Sequence, residues 1–301
     1  MKQKKITRRQ ALLSLATISA GALIKPSSIF CSPVNDRIRF AVIGDWGTGD
    51  KHQFGIASQM FASHQRTPFD FVISAGDNLY PNGSGRHFSS KFEQPYASLL
   101  KDRVKFYPVL GNHDVDDGRQ DQCQYPLFNM GGQNYYKIER GNGLVEFFML
   151  DSNDFGATQA NWLESSLRDS NAKWKVAVFH HPIYTSGKHG PATGLKKQLE
   201  PLFTRYHVNL AFSGHDHIYE RTKPQQGIQY FVSGAGGKVR RGDVDRGSGI
   251  TAASFDDDNH FMVIEIGENQ VSFEAISETG GVVDGGLIRQ SSTASVSVEV
   301  N

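Results

Sequence analysis

The sequence has few cysteines, little net charge and no apolar run long enough to cross a bilayer. It contains 2 cysteines in 301 residues, Cys31 and Cys123, so no disulfide framework can hold the fold and a buried core must do so. The two thiols could pair only if Cys31 survives processing, and we expect both to be unpaired. The formal net charge of +1 at pH 7 argues against a nucleic-acid partner or a protein of the membrane surface. With 38% hydrophobic residues, the chain can bury a substantial core.

Residues 1–32 have the composition of an export signal. The first ten residues contain five basic side chains and no acidic one, and the apolar stretch 11–24 follows. This stretch is shorter than the roughly 20 apolar residues that a membrane-spanning helix needs, and a basic head before a short apolar run is typical of a secretory signal. Residues 7–13, with Arg8 and Arg9, resemble the twin-arginine signal of bacteria. We therefore expect a periplasmic or secreted protein that is exported in the folded state, with no stable membrane insertion after the signal is removed.

Two alternatives remain for this segment. It could stay uncleaved as a membrane anchor, which its short apolar run disfavours. Cys31 could be lipidated, although Ile29 and Phe30 are unsuitable residues immediately before a lipidated cysteine.

Residues 36–290 predict one α/β domain. Short apolar runs that end at glycine or at a polar residue predict strands at 38–43, 69–74, 106–110, 145–150, 175–179 and 208–212. Helical spacing predicts helices from Thr158, as an N-cap, to Leu167 and over 195–203. The C-terminal half is strand-rich, with further strands at 228–232, 261–266 and 271–276. Strands alternating with helices are typical of an α/β architecture. The small, polar residues 291–301 predict a flexible tail.

The chemistry-bearing residues directly follow these predicted strands. They are Asp45, Asp77, the pair Asn112 and His113, then His180, and the pair His215 and His217. Because ligands bind at the carboxyl ends of the strands in an α/β sheet, we expect these side chains to meet in one crevice. Neighbouring glycines allow the backbone to turn sharply and approach an ion or a phosphate closely.

Each motif alone has an ordinary explanation. An aspartate after a strand is usually a turn or helix cap, which makes Asp45 or Asp77 weak evidence by itself. His215-Asp216-His217 is harder to explain as packing, with Asp216 either orienting an imidazole or facing solvent. All the motifs together, in order, predict a metal site. Carboxylate, tyrosine and imidazole ligands suit Fe, Mn or Zn better than Ca.

The set of motifs resembles the metallophosphoesterase superfamily and, more narrowly, its purple acid phosphatases, including the tartrate-resistant acid phosphatase type. The matching segments are Asp45, Gly76 to Tyr80, Gly111 to Asp114, Ala177 to His180 and Gly214 to His217. Tyr80 separates this group from most metallophosphoesterases. Ala177 stands where the family pattern has valine. We prefer His180 to His181 as the ligand because the family's ligand is followed by one residue and then proline, as His180 is.

This resemblance implies a four-layer α/β/β/α sandwich of the calcineurin-like type and a dinuclear metal centre. By resemblance, Asp45, Tyr80 and His217 hold a ferric ion, and Asp77 bridges to a second, divalent metal (Fe, Zn or Mn). Asn112, His180 and His215 hold that second metal. The implied activity is acid phosphatase hydrolysis of small phosphate monoesters by a metal-bound hydroxide. His113 and His189 match two catalytic histidines, either of which would protonate the leaving alkoxide as imidazolium.

Three other functions compete with this prediction. A phosphodiesterase or nucleotidase of the same superfamily would share the metal site, and Tyr80 and His189 favour the monoesterase. A non-catalytic metal- or phosphate-binding protein on the same fold would be expected to lose ligands, whereas all seven are present here. A metal-dependent amidase has no support in the motifs. The run from Gly234 to Lys238 lacks the spacing of a phosphate-binding loop and predicts a turn.

Overall fold

The computed structural model describes residues 37–291 and 295–300. The predicted export signal at 1–32, including Cys31, lies outside these residues. Cys123 is a buried free thiol, and burial raises its pKa to about 11. Within the described part of the chain, no helix combines the length and apolarity needed to cross a bilayer.

Residues 37–291 and 295–300 fold into fourteen strands and five α-helices. In order they are β1 (Ile38–Ile43), α1 (Lys51–Arg66), β2 (Phe71–Ser74), α2 (Ala97–Lys101), β3 (Lys105–Pro108), α3 (Arg119–Gln124), β4 (Tyr136–Arg140), β5 (Val145–Met149), α4 (Ala157–Arg168), β6 (Trp174–Val178), α5 (Thr193–Arg205), β7 (Leu210–Ser213), β8 (Tyr219–Thr222), β9 (Gln229–Ser233), β10 (Thr251–Phe255), β11 (His260–Ile266), β12 (Gln270–Ser277), β13 (Val282–Gln290) and β14 (Val296–Val300).

The strands form two seven-stranded mixed sheets. The first has the order β14-β13-β12-β11-β1-β2-β3, and the second has the order β10-β8-β9-β7-β6-β5-β4. Strands β1, β2 and β3 run parallel in the first sheet, as do β5, β6, β7 and β9 in the second. The remaining pairings are antiparallel. Each sheet therefore has a parallel segment whose strands all end at the same edge.

Alternating side chains place one apolar layer between the sheets and one behind each sheet. Phe40 of β1 packs edge-on against Phe147 of β5, with ring centroids 5.0 Å apart, inside the core between the sheets. The next residue, Ala41, faces the opposite side and belongs to a cluster with Ile56 of α1. Behind the second sheet, Phe148 packs in a cluster with side chains of α4 and α5. The four-layer α/β/β/α fold class is thus confirmed.

The predicted strands appear within two residues of their expected bounds. Strands such as β2, β5, β7 and β9 are buried on both faces, which makes them near-continuous apolar runs that are easily recognised. The N-cap prediction at Thr158 is wrong. Helix α4 begins at Ala157 behind Gly156, and no side chain caps it. Helix α1 was not predicted; its N-cap Asp50 accepts hydrogen bonds from the backbone N–H groups of His52 and Gln53.

The prediction of a flexible tail over 291–301 is wrong for residues 296–300. These residues form β14, which pairs antiparallel with β13 in a register that places Val296 opposite Gln290. The reason is the alternation of Val296, Val298 and Val300 with polar residues, which gives an edge strand one apolar face. Val296 is buried on that face.

Candidate metal centre

The predicted site residues converge on a crevice between the carboxyl edges of the two sheets. Asp45, Asp77 and Asn112 follow β1, β2 and β3 of the first sheet, whereas His180 and His215 follow β6 and β7 of the second. The sheets are joined at this edge by a hydrogen bond from His180 Nδ1 to the carbonyl oxygen of Ala75, 2.9 Å long.

One group of side chains consists of Asp45, Tyr80 and His217. The Tyr80 hydroxyl lies 3.3 Å from Asp45 Oδ1 and 3.2 Å from His217 Nε2. His217 Nε2 also lies 3.5 Å from Asp45 Oδ1. All three side chains are buried. A carboxylate oxygen, a phenol oxygen and an imidazole nitrogen therefore point at one small volume.

A second group consists of Asn112, His180 and His215. Asn112 Oδ1 lies 3.0 Å from His180 Nε2 and 3.0 Å from His215 Nδ1. His180 is fully buried, while Asn112 and His215 are partly exposed at the mouth of the crevice.

Asp77 lies between the two groups and faces both. Its Oδ2 is 2.9 Å from the Tyr80 hydroxyl of the first group, and its Oδ1 is 3.5 Å from His180 Nε2 of the second. Oδ1 also accepts a 3.0 Å hydrogen bond from the backbone N–H of His113. One carboxylate thus presents one oxygen to each group, an arrangement that suits a bridging ligand.

The buried carboxylates of the site need compensating positive charge. Asp45 and Asp77 are 0% and 1% exposed, and among residues 37–291 and 295–300 neither contacts a lysine or an arginine. Burial, followed by the charge of Asp77, raises the pKa of Asp45 well above its ordinary value. Burying two adjacent carboxylates without compensating charge is costly.

The orientation of His180 also indicates that cations bind in this crevice. Because its Nδ1–H donates to the Ala75 carbonyl, its Nε2 carries a lone pair, and that lone pair faces oxygens of Asn112 and Asp77. Lone pairs that face one another repel unless a cation lies among them. The residues present therefore fit a pair of metal ions.

Burial favours the neutral form of the three candidate ligand histidines. It is the largest cause of the low pKa of His180, and it lowers the pKa values of His215 and His217 to about 3. Neutral imidazole is the form that binds metals. Burial and the charges of Asp45 and Asp77 raise the pKa of the Tyr80 phenol, so a strongly polarising cation is needed to make it a phenolate.

The backbone around the ligands is strained and tightly packed. Asp45, Asp77 and His215 have φ values of 56°, 52° and 70°, a left-handed region that is uncommon for residues with a side chain. A Cβ atom on Gly111 would lie 2.1 Å from Asp77 Oδ1, and one on Gly214 would lie 2.4 Å from Asp45 Oδ2. These two glycines are required for the close approach of the loops.

Asp114, to which the sequence assigned no role, organises the loops that carry the ligands. It is fully buried and accepts hydrogen bonds from Gly111 N at 2.8 Å, Asn78 N at 2.9 Å and Gln122 Nε2 at 2.8 Å. Burial, with the charge of Asp77, raises its pKa to about 7. Its place in the Gly-Asn-His-Asp segment was the sequence feature from which this role could have been predicted.

His113 lies beside the first group. Its Nδ1–H donates to the Pro81 carbonyl at 2.7 Å, and its ring centroid is 4.7 Å from that of Tyr80. The ring is therefore fixed, with Nε2 left to interact with a bound molecule.

His189 lies beside the second group. Its ring centroid is 4.6 Å from that of His215, and its Nε2 accepts a 2.6 Å hydrogen bond from Arg240 Nη1. In this arrangement Nε2 of His189 cannot itself hold a proton. Asp216, whose role the sequence left open, is buried and accepts from the His189 backbone N–H and the Thr185 hydroxyl, so it positions the loop instead of an imidazole.

His181, the alternative to His180, is turned differently. Its Nδ1 lies 2.9 Å from Ser152 Oγ, and its ring is partly exposed. Nevertheless, one ring nitrogen from each of His180, His181 and His215 lies within 4.8 Å of the other two. His180 contacts both Asp77 and Asn112, whereas no such contact is made by His181 among the described residues.

Comparison with known proteins identifies the family. A family model described as calcineurin-like phosphoesterase matches residues 38–219. The chain belongs to the calcineurin-like phosphoesterases. Within them it belongs to the purple acid phosphatases, since it is 32% identical over 240 residues to purple acid phosphatase 17 of Arabidopsis thaliana, covering 69% of this chain and 70% of that one.

Two further matches agree with this assignment, one in sequence and one in fold. Tartrate-resistant acid phosphatase type 5 of Rattus norvegicus is 28% identical over 305 residues, covering 86% of this chain and 92% of the relative. A solved structure of GAP50, described as the anchor in the inner membrane complex of Plasmodium, superposes with a TM-score of 0.74 over 83% of this chain and 87% of that chain at 22% identity. At that identity the match shows the fold alone.

Proposed function

We propose that this calcineurin-like phosphoesterase is a metal-dependent acid phosphatase that hydrolyses phosphate monoesters, with residues 36–290 as its catalytic domain. The observation that carries the proposal is the position of Asp77, whose two oxygens face two separate groups of ligand atoms. The relationship to purple acid phosphatase 17 and to tartrate-resistant acid phosphatase type 5 supports the same activity.

Seven residues would hold the metals. Asp45, Tyr80 and His217 would bind a ferric ion, Asn112, His180 and His215 would bind a divalent Fe, Zn or Mn ion, and Asp77 would bind both. Two cations held there would polarise a phosphoryl group and activate a water at mild pH. The mixture of hard oxygen and borderline nitrogen donors suits these metals.

His113 is the side chain best placed to protonate the leaving group. Because Nδ1–H is held by the Pro81 carbonyl, an imidazolium at this position would offer its second proton from Nε2. The proton would pass to the leaving alkoxide oxygen, and neutral His113 would remain. His189 shares this role only when Arg240 no longer donates to its Nε2.

The activity is tested by comparing two substrates. Metal-loaded protein should hydrolyse p-nitrophenyl phosphate with a kcat/KM at least tenfold above that for bis(p-nitrophenyl) phosphate. The reverse preference would assign the site to a phosphodiesterase. An Asp77→Asn variant serves as the control, because the amide cannot bridge two cations as a carboxylate does. Absence of both metal and hydrolysis in the folded wild type would instead indicate a binding protein.

We also infer that residues 1–32 direct twin-arginine export to the periplasm or beyond. The support is the pair Arg8 and Arg9 before a short apolar run. In a bacterial host, replacing both with lysine should leave active, folded phosphatase in the cytoplasm. Unchanged export of the double variant would contradict this assignment.

A further inference from the structure

The segment from Gly234 to Arg240 places two cationic side chains beside the candidate metal centre. Lys238 Nζ lies 4.9 Å from the ring centroid of Tyr80, a ligand of the first group. Arg240 Nη1 donates to His189, which stacks beside His215 of the second group. One positive charge therefore lies next to each half of the site.

The backbone holds this segment in place. Gly236 N donates to the Gly44 carbonyl at 2.8 Å, Gly237 N donates to the Asp45 carbonyl at 3.1 Å, and Arg240 N donates to the His217 carbonyl at 3.0 Å. A Cβ atom at Gly237 would lie 2.5 Å from the Trp46 carbonyl oxygen. The glycines thus allow the segment to pack closely against the loop that carries Asp45. This packing fixes the backbone positions from which the side chains of Lys238 and Arg240 extend.

The two arginines that follow this segment are held away from the site by residues 256 and 257. Arg246 pairs with Asp256 at 3.0 Å, and Arg241 donates to the Asp257 carbonyl at 3.0 and 2.7 Å. Within residues 37–291 and 295–300, Lys238 and Arg240 form no ion pair with a carboxylate. Both side chains are exposed, so a bound anion can reach them without displacing an acidic residue.

We propose that Lys238 and Arg240 form a second anion subsite beside the metal centre, which selects phosphate monoesters whose leaving group carries another anionic group, a carboxylate or a phosphate. The inference rests on the proposed phosphatase activity and names its substrate class. The cations are a local feature, because the whole chain has a net charge of +1.

The subsite is tested with a matched pair of substrates. Glycerol 3-phosphate and 3-phosphoglycerate differ by a carboxylate in the leaving group. A hydrogen bond to a charged group is worth a factor of about ten or more, so we expect wild-type kcat/KM to favour 3-phosphoglycerate by about tenfold. Lys238→Gln and Arg240→Gln should each reduce kcat/KM for 3-phosphoglycerate several-fold more than for glycerol 3-phosphate, and Lys238→Arg should restore most of the preference. Arg241→Gln is the control, because it removes the same charge from the next residue in the chain, whose guanidinium donates to the backbone carbonyl of Asp257.

Binding without turnover gives an independent measurement. Calorimetry of metal-loaded protein should show methylenediphosphonate binding at least tenfold more tightly than methylphosphonate, and the difference should shrink in the Lys238→Gln variant. Equal losses for both substrates in both variants would show that the cations only attract the scissile phosphate, which would overturn the subsite. Hydrolysis of both substrates by the wild type with no preference would also overturn it while leaving the phosphatase assignment intact. Hydrolysis of neither substrate by protein that is active on p-nitrophenyl phosphate would overturn the subsite, whereas inactivity on all three esters would contradict the phosphatase assignment itself.

Discussion

Gly111→Ala tests whether Asp77 is held in place by the backbone opposite it. The added Cβ would lie 2.1 Å from Asp77 Oδ1, 2.3 Å from Asp77 N and 2.8 Å from Asp77 Cγ. Because non-bonded heavy atoms pack best at about 3.5–4.0 Å, either Asp77 or the Gly111–Asn112 backbone must move by about 1 Å. Both carry a proposed ligand, so either movement separates ligands that should act together.

The expected loss of activity is large while the fold survives. A displacement of about 1 Å in a catalytic site costs about 10²-fold in rate. Overpacking of this kind destabilises by roughly 1–3 kcal/mol, which is less than the roughly 5–15 kcal/mol that holds a typical protein folded. We therefore expect kcat for p-nitrophenyl phosphate to fall about 100-fold, with metal content reduced and the circular dichroism spectrum unchanged.

The assay combines turnover, metal analysis and thermal unfolding on one preparation. Gly267→Ala is the matched control, since its Cβ would meet its nearest neighbour, the Gln270 carbonyl oxygen, at an ordinary 3.6 Å. This variant should retain full activity and metal. If Gly111→Ala kept wild-type metal content and a kcat within twofold, Asp77 would not be a bridging ligand in the position described.

Three further predictions follow from the site and its surroundings. His113→Ala should lower kcat by about 10²–10⁴-fold, the range for loss of a general acid, at near-normal metal content; loss of both metals would make His113 a ligand instead. Removing the metals with a chelator should lower the melting temperature by roughly 5–10 °C, because bound ligands stabilise by about 2.7 kcal/mol at 100 times Kd; an unchanged melting temperature would contradict metal compensation of buried Asp45 and Asp77. Burial lowers the pKa of His260 from 6.5 to about 3. Between these two pH values the unfolded chain binds a proton at His260 and the folded chain does not. The free energy of unfolding therefore falls by about 1.4 kcal/mol for each pH unit below pH 6.5. In urea unfolding, His260→Gln should therefore lose about 2 kcal/mol less than the wild type between pH 6.5 and pH 5, and an equal loss would contradict a buried neutral His260.

Much of the site could be predicted because polar residues follow buried strands directly. Asp45, Asp77 and His180 stand out against apolar runs that are covered on both faces. Helix α1 did not stand out, because only a few positions of Lys51–Arg66, such as Ile56 and Met60, are apolar and buried.

Other features depend on contacts that no local pattern encodes. The division of strands between two sheets follows from pairings such as β1 with β11, which are more than 200 residues apart in the chain. The contact of Arg240 with His189 joins residues 51 positions apart, and it decides which nitrogen of His189 is available. Lys238 was predicted as part of a simple turn, and its place over Tyr80 depends on how the glycines before it pack.

The proposed metal centre requires that seven side chains from two sheets gather around a pair of metal ions. Metal analysis of the purified protein together with its visible absorption spectrum tests this most directly. We predict one iron and one further Fe, Zn or Mn ion per chain, and a visible band from Tyr80 bound to ferric iron that disappears in Tyr80→Phe. One metal or none in the folded, active protein, or a visible band that persists in Tyr80→Phe, would contradict a dinuclear centre with Tyr80 as a ligand.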